Sequence, residues 1–172
     1  FIPMYNCERQ IPRVIAQLTP DVQSLLSELI VVDNRSTDGS RLTAQRALSA
    51  IADIPAKLLM NDSNYGLGGS HKVAFNYALA NNFDYCVVLH GDDQGDITDL
   101  VPLIRAGQHR QFDCLLGARF MKGSKLLGYS TFRTWGNYAF NALYSIVSGL
   151  LIRDLGSGLN LYAVDKLADR AY

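Results

Sequence analysis

Residues 86 to 96 read CVVLHGDDQGD, an apolar run that closes on a histidine and then a cluster of acids. Asp92, Asp93, Gln94 and Asp96 offer oxygen ligands of the kind that hold a hard divalent cation such as Mg2+ or Mn2+, which ordinarily completes its coordination with a substrate's phosphate oxygens. His90 suits Mn2+ and softer ions better than Mg2+. A solvated acidic loop with an incidental helix cap is the plainer reading of the same residues, and spacing alone leaves both open. A second polar group, Asp33-Asn34-Arg35, follows the apolar ELIVV. A carboxylate at the end of a buried strand is costly without a partner, so Asp33 is expected to have one. Asp38, in STDGS, reads as part of a turn and helix cap. Gly66, Gly68 and Gly69 of NYGLGGSHK follow a third apolar run, but His71 stands where a GxGxxG dinucleotide fingerprint has its last glycine. The loop therefore reads equally as a phosphate cradle or as glycines that let the backbone pass close to a neighbour.

These groups need elements to bring them together. FIP ends a strand, and CERQIPRVIAQL carries Ile11, Val14, Ile15 and Leu18 at helical spacing. ELIVVD is a buried strand followed by a helix from about Arg41 to Ala52. AKLLMN is a third strand, and GGSHKVAFNYALAN a helix with Val73, Tyr77 and Ala80 on one face. YCVVLH is a fourth strand, DITDLVPLIRAGQ a helix capped by Asp96 or Thr98, and DCLLGAR a fifth strand. Strands alternating with helices predict an α/β fold, a mostly parallel sheet with helices on both faces. In such sheets ligands sit beyond the carboxyl ends of the strands, where these polar groups fall.

The bulk composition narrows the partners. With 172 residues, 48% of them hydrophobic, the chain suits one domain. Its 16 basic and 16 acidic residues cancel, so no general attraction to nucleic acid is expected. Cys7, Cys86 and Cys114 lack metal-ligand spacing and read as reduced, mostly buried thiols of a cytoplasmic protein. The chain opens in mid-pattern at FIPMYN without an initiator Met, as a fragment would. From Trp135 to Ile152 there is no charged residue. Two Asn, two Ser and two Gly make that run a poor membrane span, so a buried or interfacial helix is expected. A loop, a short strand and a last helix capped by Asp165 follow.

Taken in order, IPMYNCERQIPRVIAQL, IVVDNRSTDGS, NYGLGGSHKVAFNYALA, VVLHGDDQGD, LLGARF and IRDLGSGLNLYAVDKL resemble the family 2 glycosyltransferases of the GT-A fold. Within these they are most similar to the branch of dolichyl-phosphate mannosyltransferase and bacterial polyprenyl-phosphate glycosyltransferases. The resemblance implies a single GT-A domain over 1–172, with 120–172 as its acceptor-side segment. It implies a metal-dependent, inverting transfer of a sugar from a nucleotide diphosphate donor, a UDP- or GDP-sugar, to a polyprenyl-phosphate or glycan acceptor, with Mg2+ or Mn2+ as cofactor. Pro3 and Tyr5 would line the nucleobase pocket, and Asp33 would accept a hydrogen bond from the base. Cys7 occupies the place of an acid that contacts ribose, with Glu8 one position later, and Asn34 replaces the second acid of the next motif. Gly66 and Gly68 would lie near the donor. The metal motif falls on His90, Asp92 and Gln94, with Asp92 as the direct ligand. Arg119 and Arg133 would hold phosphate oxygens, and Asp154 would lie near the acceptor. The resemblance also implies a peripheral contact at the cytoplasmic face of a membrane. The departures at Cys7, Asn34 and His90 motivate the alternative, a non-catalytic nucleotide-sugar-binding module.

Overall fold

All three residues of the first strand, β1 (Ile2–Met4), are buried, as befits the middle of a sheet. In the computed structural model, which describes residues 1–119, 131–154 and 156–168, with the backbone alone for 131–134, β1 pairs with β2 (Leu29–Asp33) and β2 with β3 (Ala56–Met60). Both ladders are parallel. Further along, β4 (Tyr85–Leu89), β5 (Cys114–Leu116) and β6 (Leu159–Ala163) form a second group in which β6 runs antiparallel to both neighbours. Main-chain bonds join the groups: Phe1 N donates to Val87 O at 2.7 Å, Leu89 N to Phe1 O at 2.9 Å, and Gly91 N to Pro3 O at 3.1 Å. The strand order is therefore β3-β2-β1-β4-β6-β5, parallel except for β6.

Side chains alternate across the strands, and the helices follow. Leu29 and Val31 face one core with Ile11, Val14 and Ile15 of α1 (Ile11–Ala16), Val22 of α2 (Pro20–Gln23), and Ala44 and Leu48 of α3 (Ser40–Leu48). Ile30 and Val32 face the other way, onto Ala74 of α4 (Gly66–Ala80). This is the two-sided arrangement the alternating sequence predicts. Burying each such Val, Leu or Ile contributes about 1.5–3 kcal/mol.

Several elements differ from expectation. The helix expected to reach Ala52 ends at Leu48. On α4 Val73 and Tyr77 are partly buried and pack against the Ile30–Val32 core as expected, but the fully buried stripe is Ser70, Ala74, Phe75 and Ala78, and Ala80 is exposed. The helix expected after Asp96 splits into a 3-10 turn (Ile97–Asp99), capped by Asp96 Oδ1 accepting from Thr98 N at 2.9 Å, and a short α5 (Val101–Arg105) whose first turn holds Pro102. Of the last helix, the described residues show a 3-10 turn, Val164–Leu167, with Asp165 inside it rather than at its cap. Cys7 and Cys86 are buried, but Cys114 is exposed because β5 is an edge strand.

The uncharged run also departs from a buried helix. It lies within α6 (Thr131–Ser148) and the residues after it, with Trp135 at 75%, Ile146 at 80% and Val147 at 77% exposure. Two of its polar side chains, Asn141 and Ser145, turn inward instead. Buried Asn141 donates through Nδ2 to Arg153 O at 2.9 Å, and Ser145 Oγ accepts from Ile152 N at 2.9 Å. Among the described residues no helix is long and apolar enough to cross a membrane.

Candidate active site at the strand edge

Because β5 is antiparallel to β6, and β6 to β4, the carboxyl ends of β1 to β5 and the amino end of β6 lie at one edge. The order reverses between β1 and β4, the switch point where open α/β sheets bind ligands. Gly91 sits at that join. A Cβ there would come within 2.9 Å of Pro3 O and 3.2 Å of Cys7 Sγ, so the turn after β4 packs directly on the end of β1.

At the β1 end, Pro3 is buried in the sheet while Tyr5 projects at 48% exposure. Asn6, with φ 49°, ties the loop to the next motif through Oδ1, which accepts from Thr37 N at 2.8 Å. Cys7 N donates to Ser40 Oγ at 2.8 Å, and burial pushes its thiol up to about 11. Cys7 therefore stays a neutral thiol and cannot reproduce a carboxylate. Glu8, one position later, is exposed. Its Oε2 accepts from Gly39 N at 3.3 Å, at the start of α3. Asp38 is the turn residue that its sequence context predicts: burial works to raise its carboxyl, but bonds from Ser40 Oγ, Ser40 N and Glu8 N outweigh that and hold it low.

At the β2 end Asp33, only 1% exposed, has its expected partner in Ser36 N, which donates at 3.0 Å. Asn34 is the hub of a buried network. Its Nδ2 donates to Asn64 Oδ1 at 2.7 Å, and its Oδ1 accepts from Asn61 Nδ2 at 2.9 Å and from Tyr65 N at 3.0 Å. Asn64 Oδ1 also accepts from Gly66 N at 2.9 Å, which sets the first turn of α4. A carboxylate at 34 has no N–H to donate to Asn64, so the amide is what this network requires. Gly66 has φ +69°, and a Cβ at Gly66 or Gly68 would meet only open space. The glycine turn is thus open to solvent at both positions, whereas Gly69 is pressed on Tyr65.

At the β4 end His90 N donates to Gly158 O at 2.8 Å, and its ring lies edge to face with that of His71, 5.8 Å between centroids. Burial first, then His71 and Arg119, lower the His90 pKa against the opposing pull of Asp92, so the imidazole is neutral near pH 7. Asp92 is exposed, and its Oδ1 accepts from Gln94 N at 3.2 Å; the Gln94 side chain is exposed as well. Asp93 turns away with φ 63°, and its Oδ2 accepts from Arg13 Nε at 2.6 Å. Among the described residues no three His, Cys, Asp or Glu side chains gather closely enough to hold a metal unaided. Asp92 with a neutral imidazole beside it nevertheless fits a cation that takes most of its ligands from phosphates.

Beyond β5, Arg119 grips Asp154. Asp154 Oδ2 accepts from Arg119 N at 2.9 Å and Nε at 2.8 Å, and Oδ1 from Arg119 Nη2 at 2.8 Å and Gly156 N at 2.9 Å. The side chains are 17% and 1% exposed. Burial alone would raise the Asp154 carboxyl, but these bonds outweigh it and hold it below the usual range. Asp154 is thus an ionised anchor for Arg119. Arg133 lies in α6, with its side chain outside the described residues.

The family described as Glycosyl transferase family 2 matches residues 1–169. The chain belongs to glycosyltransferase family 2. A family 2 relative, the undecaprenyl-phosphate mannosyltransferase of Micrococcus luteus, is 29% identical over 96% of this chain and 66% of its own length. The dodecaprenyl-phosphate galacturonate synthase of Rhizobium johnstonii is 22% identical over 94% of this chain and 46% of its own. The chain therefore spans less than two thirds of these curated relatives. Among solved structures, the glucosyl-3-phosphoglycerate synthase of Mycobacterium tuberculosis, in complex with Mn2+, UDP and phosphoglyceric acid, superposes with a TM-score of 0.66 at 20% identity, over 95% of this chain and 54% of that one. TarS 1-349 of S. aureus gives 0.61 at 20% identity, over 98% and 47%. These superpositions agree with the GT-A fold expected of the family.

Sequence reasoning gave Asn64 no role at the strand edge and weighed His71 only as the residue in place of a last fingerprint glycine. The signal for Asn64 was its place just before a glycine turn, where an Asx side chain caps the N–H two residues on. For His71 it was a helical position one turn into α4, on the side that meets β4.

Proposed function

We propose that the protein transfers a sugar from a nucleotide diphosphate donor, a UDP- or GDP-sugar, to a polyprenyl-phosphate acceptor, with inversion at the anomeric carbon. The observation that carries this reading is the saturation of Asp154 by four hydrogen bonds, at the strand edge of a chain matched by a glycosyltransferase family along nearly all its length. A carboxylate so occupied is poorly placed to take a proton from a hydroxyl. A phosphate acceptor is already an anion and needs no strong base, which favours it over a glycan hydroxyl.

In this reading exposed Tyr5 stacks on the nucleobase, with buried Pro3 shaping the strand end beneath it rather than lining the pocket, and Asp33 and the glycine turn of Gly66 and Gly68 flank the nucleotide. Asn34 shapes that turn from below rather than touching the donor. Asp92, with Gln94, holds the divalent cation, Mg2+ or Mn2+. When bound, such a cation neutralises charge on the diphosphate as it leaves. Arg119, aimed by Asp154, adds a guanidinium suited to phosphate oxygens, and Arg133 is a second candidate for that task. Residues 120–172 make up the acceptor side of a single domain. The outward apolar face of α6 supports a peripheral contact at the cytoplasmic face of a membrane.

The buried, neutral Cys7 favours a second reading, a module that binds nucleotide sugars without turning them over. Mass spectrometry after incubation with a panel of nucleotide sugars, Mn2+ and a short polyprenyl phosphate separates the two. Transfer predicts an acceptor heavier by one sugar residue. Tight calorimetric binding of a donor with no product from any of them would leave the binding module.

A further inference from the structure

His90 stands where the family's metal motif has its first acid, and its surroundings show a ring held without its nitrogens being used. On one side is Gly158, where an added Cβ would fall within 3.1 Å of His90 Cβ and Cγ and 3.3 Å of Nδ1. On the other is the ring of His71, at 5.8 Å and 78°. His71 is itself braced by Phe1 and Phe75, at 5.4 and 5.7 Å. Its Nδ1 lies 2.9 Å from Leu67 O. A carbonyl only accepts, so Nδ1 carries the proton, and the tautomer and tilt of His71 are set. Neither ring nitrogen of His90 has a hydrogen-bond partner among the described residues, although Asp92 is two positions on.

We propose that His90 places an imidazole nitrogen on the divalent cation held by Asp92, and that the site therefore takes Mn2+ in preference to Mg2+. Imidazole is a natural ligand for first-row transition ions and a poor one for Mg2+, which prefers an all-oxygen octahedron. His71 is a positioning residue, the outer support that orients the ligating ring. The proposal rests on the reading of Asp92 as the metal ligand, and its test needs no sugar transfer.

The protein is loaded with Mn2+ and inorganic pyrophosphate, a nitrogen-free stand-in for the donor diphosphate, and studied by pulsed electron paramagnetic resonance. Wild type is expected to show 14N modulation from a directly bound nitrogen. His90→Asp should lose it while still binding Mn2+, and the Mn2+ over Mg2+ preference in competition should fall about tenfold. His71→Ala should weaken Mn2+ binding about tenfold, with His71→Phe, which keeps the ring contact, close to wild type. Wild type without 14N modulation, modulation that survives in His90→Asp, or no retained Mn2+ would each overturn the proposal. Nitrogen coupling without sugar transfer would leave this inference standing and sink the transferase reading; transfer without nitrogen coupling would do the reverse.

Discussion

Truncating Asp154 to Ala should be the most damaging single change at the site, because it removes a buried carboxylate that takes four hydrogen bonds. The Asp154 side chain is 1% exposed and takes bonds from Arg119 N, Nε and Nη2 and from Gly156 N, all between 2.8 and 2.9 Å. Arg119, at 17% side-chain exposure, would keep its charge and lose this carboxylate. Breaking a largely buried pair from one side costs about 3–5 kcal/mol. For a domain of this size that is a fall in Tm of about 6–20 °C. Urea and thermal denaturation of wild type and variant measure it directly. The pH dependence gives a second check on the same bond set. The folded pKa of Asp154 is depressed, so its contribution is complete above the unfolded value of about 3.9 and fades as pH falls through the lower folded value. The gap between wild type and Asp154→Ala should therefore be constant at neutral pH and close below about pH 4. A variant within about 1 kcal/mol of wild type at pH 7 would refute the anchoring argument.

Asp92→Asn should abolish metal-dependent sugar transfer with an unchanged circular dichroism spectrum; near-normal activity would remove Asp92 from the metal. Asn34→Asp restores the family's usual acid, yet here it should destabilise by about 1–3 kcal/mol, because it sets a carboxylate oxygen against Asn64 Oδ1 in a buried site; chemical denaturation checks this. Gly91→Ala forces a methyl toward Pro3 O, 2.9 Å away, and should lower Tm by several degrees through the β1–β4 join, as overpacking costs about 1–3 kcal/mol.

The helices that flank the sheet were legible because burial imposes a period. Ile11, Val14, Ile15 and Leu18 recur at helical spacing, and all four are buried. The polar residues that close each strand marked the functional edge, since a parallel α/β order sends successive strand ends to one side. The α6 run left a buried or an interfacial helix open, and of these two burial is the one that failed. Absence of charge predicts burial only if the apolar side turns inward, and here Asn141 and Ser145 take the inner face because Arg153 O and Ile152 N need partners there.

Local sequence by itself determined the α/β alternation, the buried strand centres, the family and the short list of groups at the strand ends, all of which depend on periodicity and residue type. The tertiary structure alone decided what each group touches. It spent Asp93 on Arg13, Glu8 on Gly39 and Asp154 on Arg119, and it left Asp92 exposed beside His90. It also brought His71, on a helix from the other side of the glycine turn, against His90. Spacing along a chain says which side chains are available to a site. Which of them remain unpaired there depends on partners as many as 80 residues away, as Arg13 is from Asp93, and only the packed fold sets those distances.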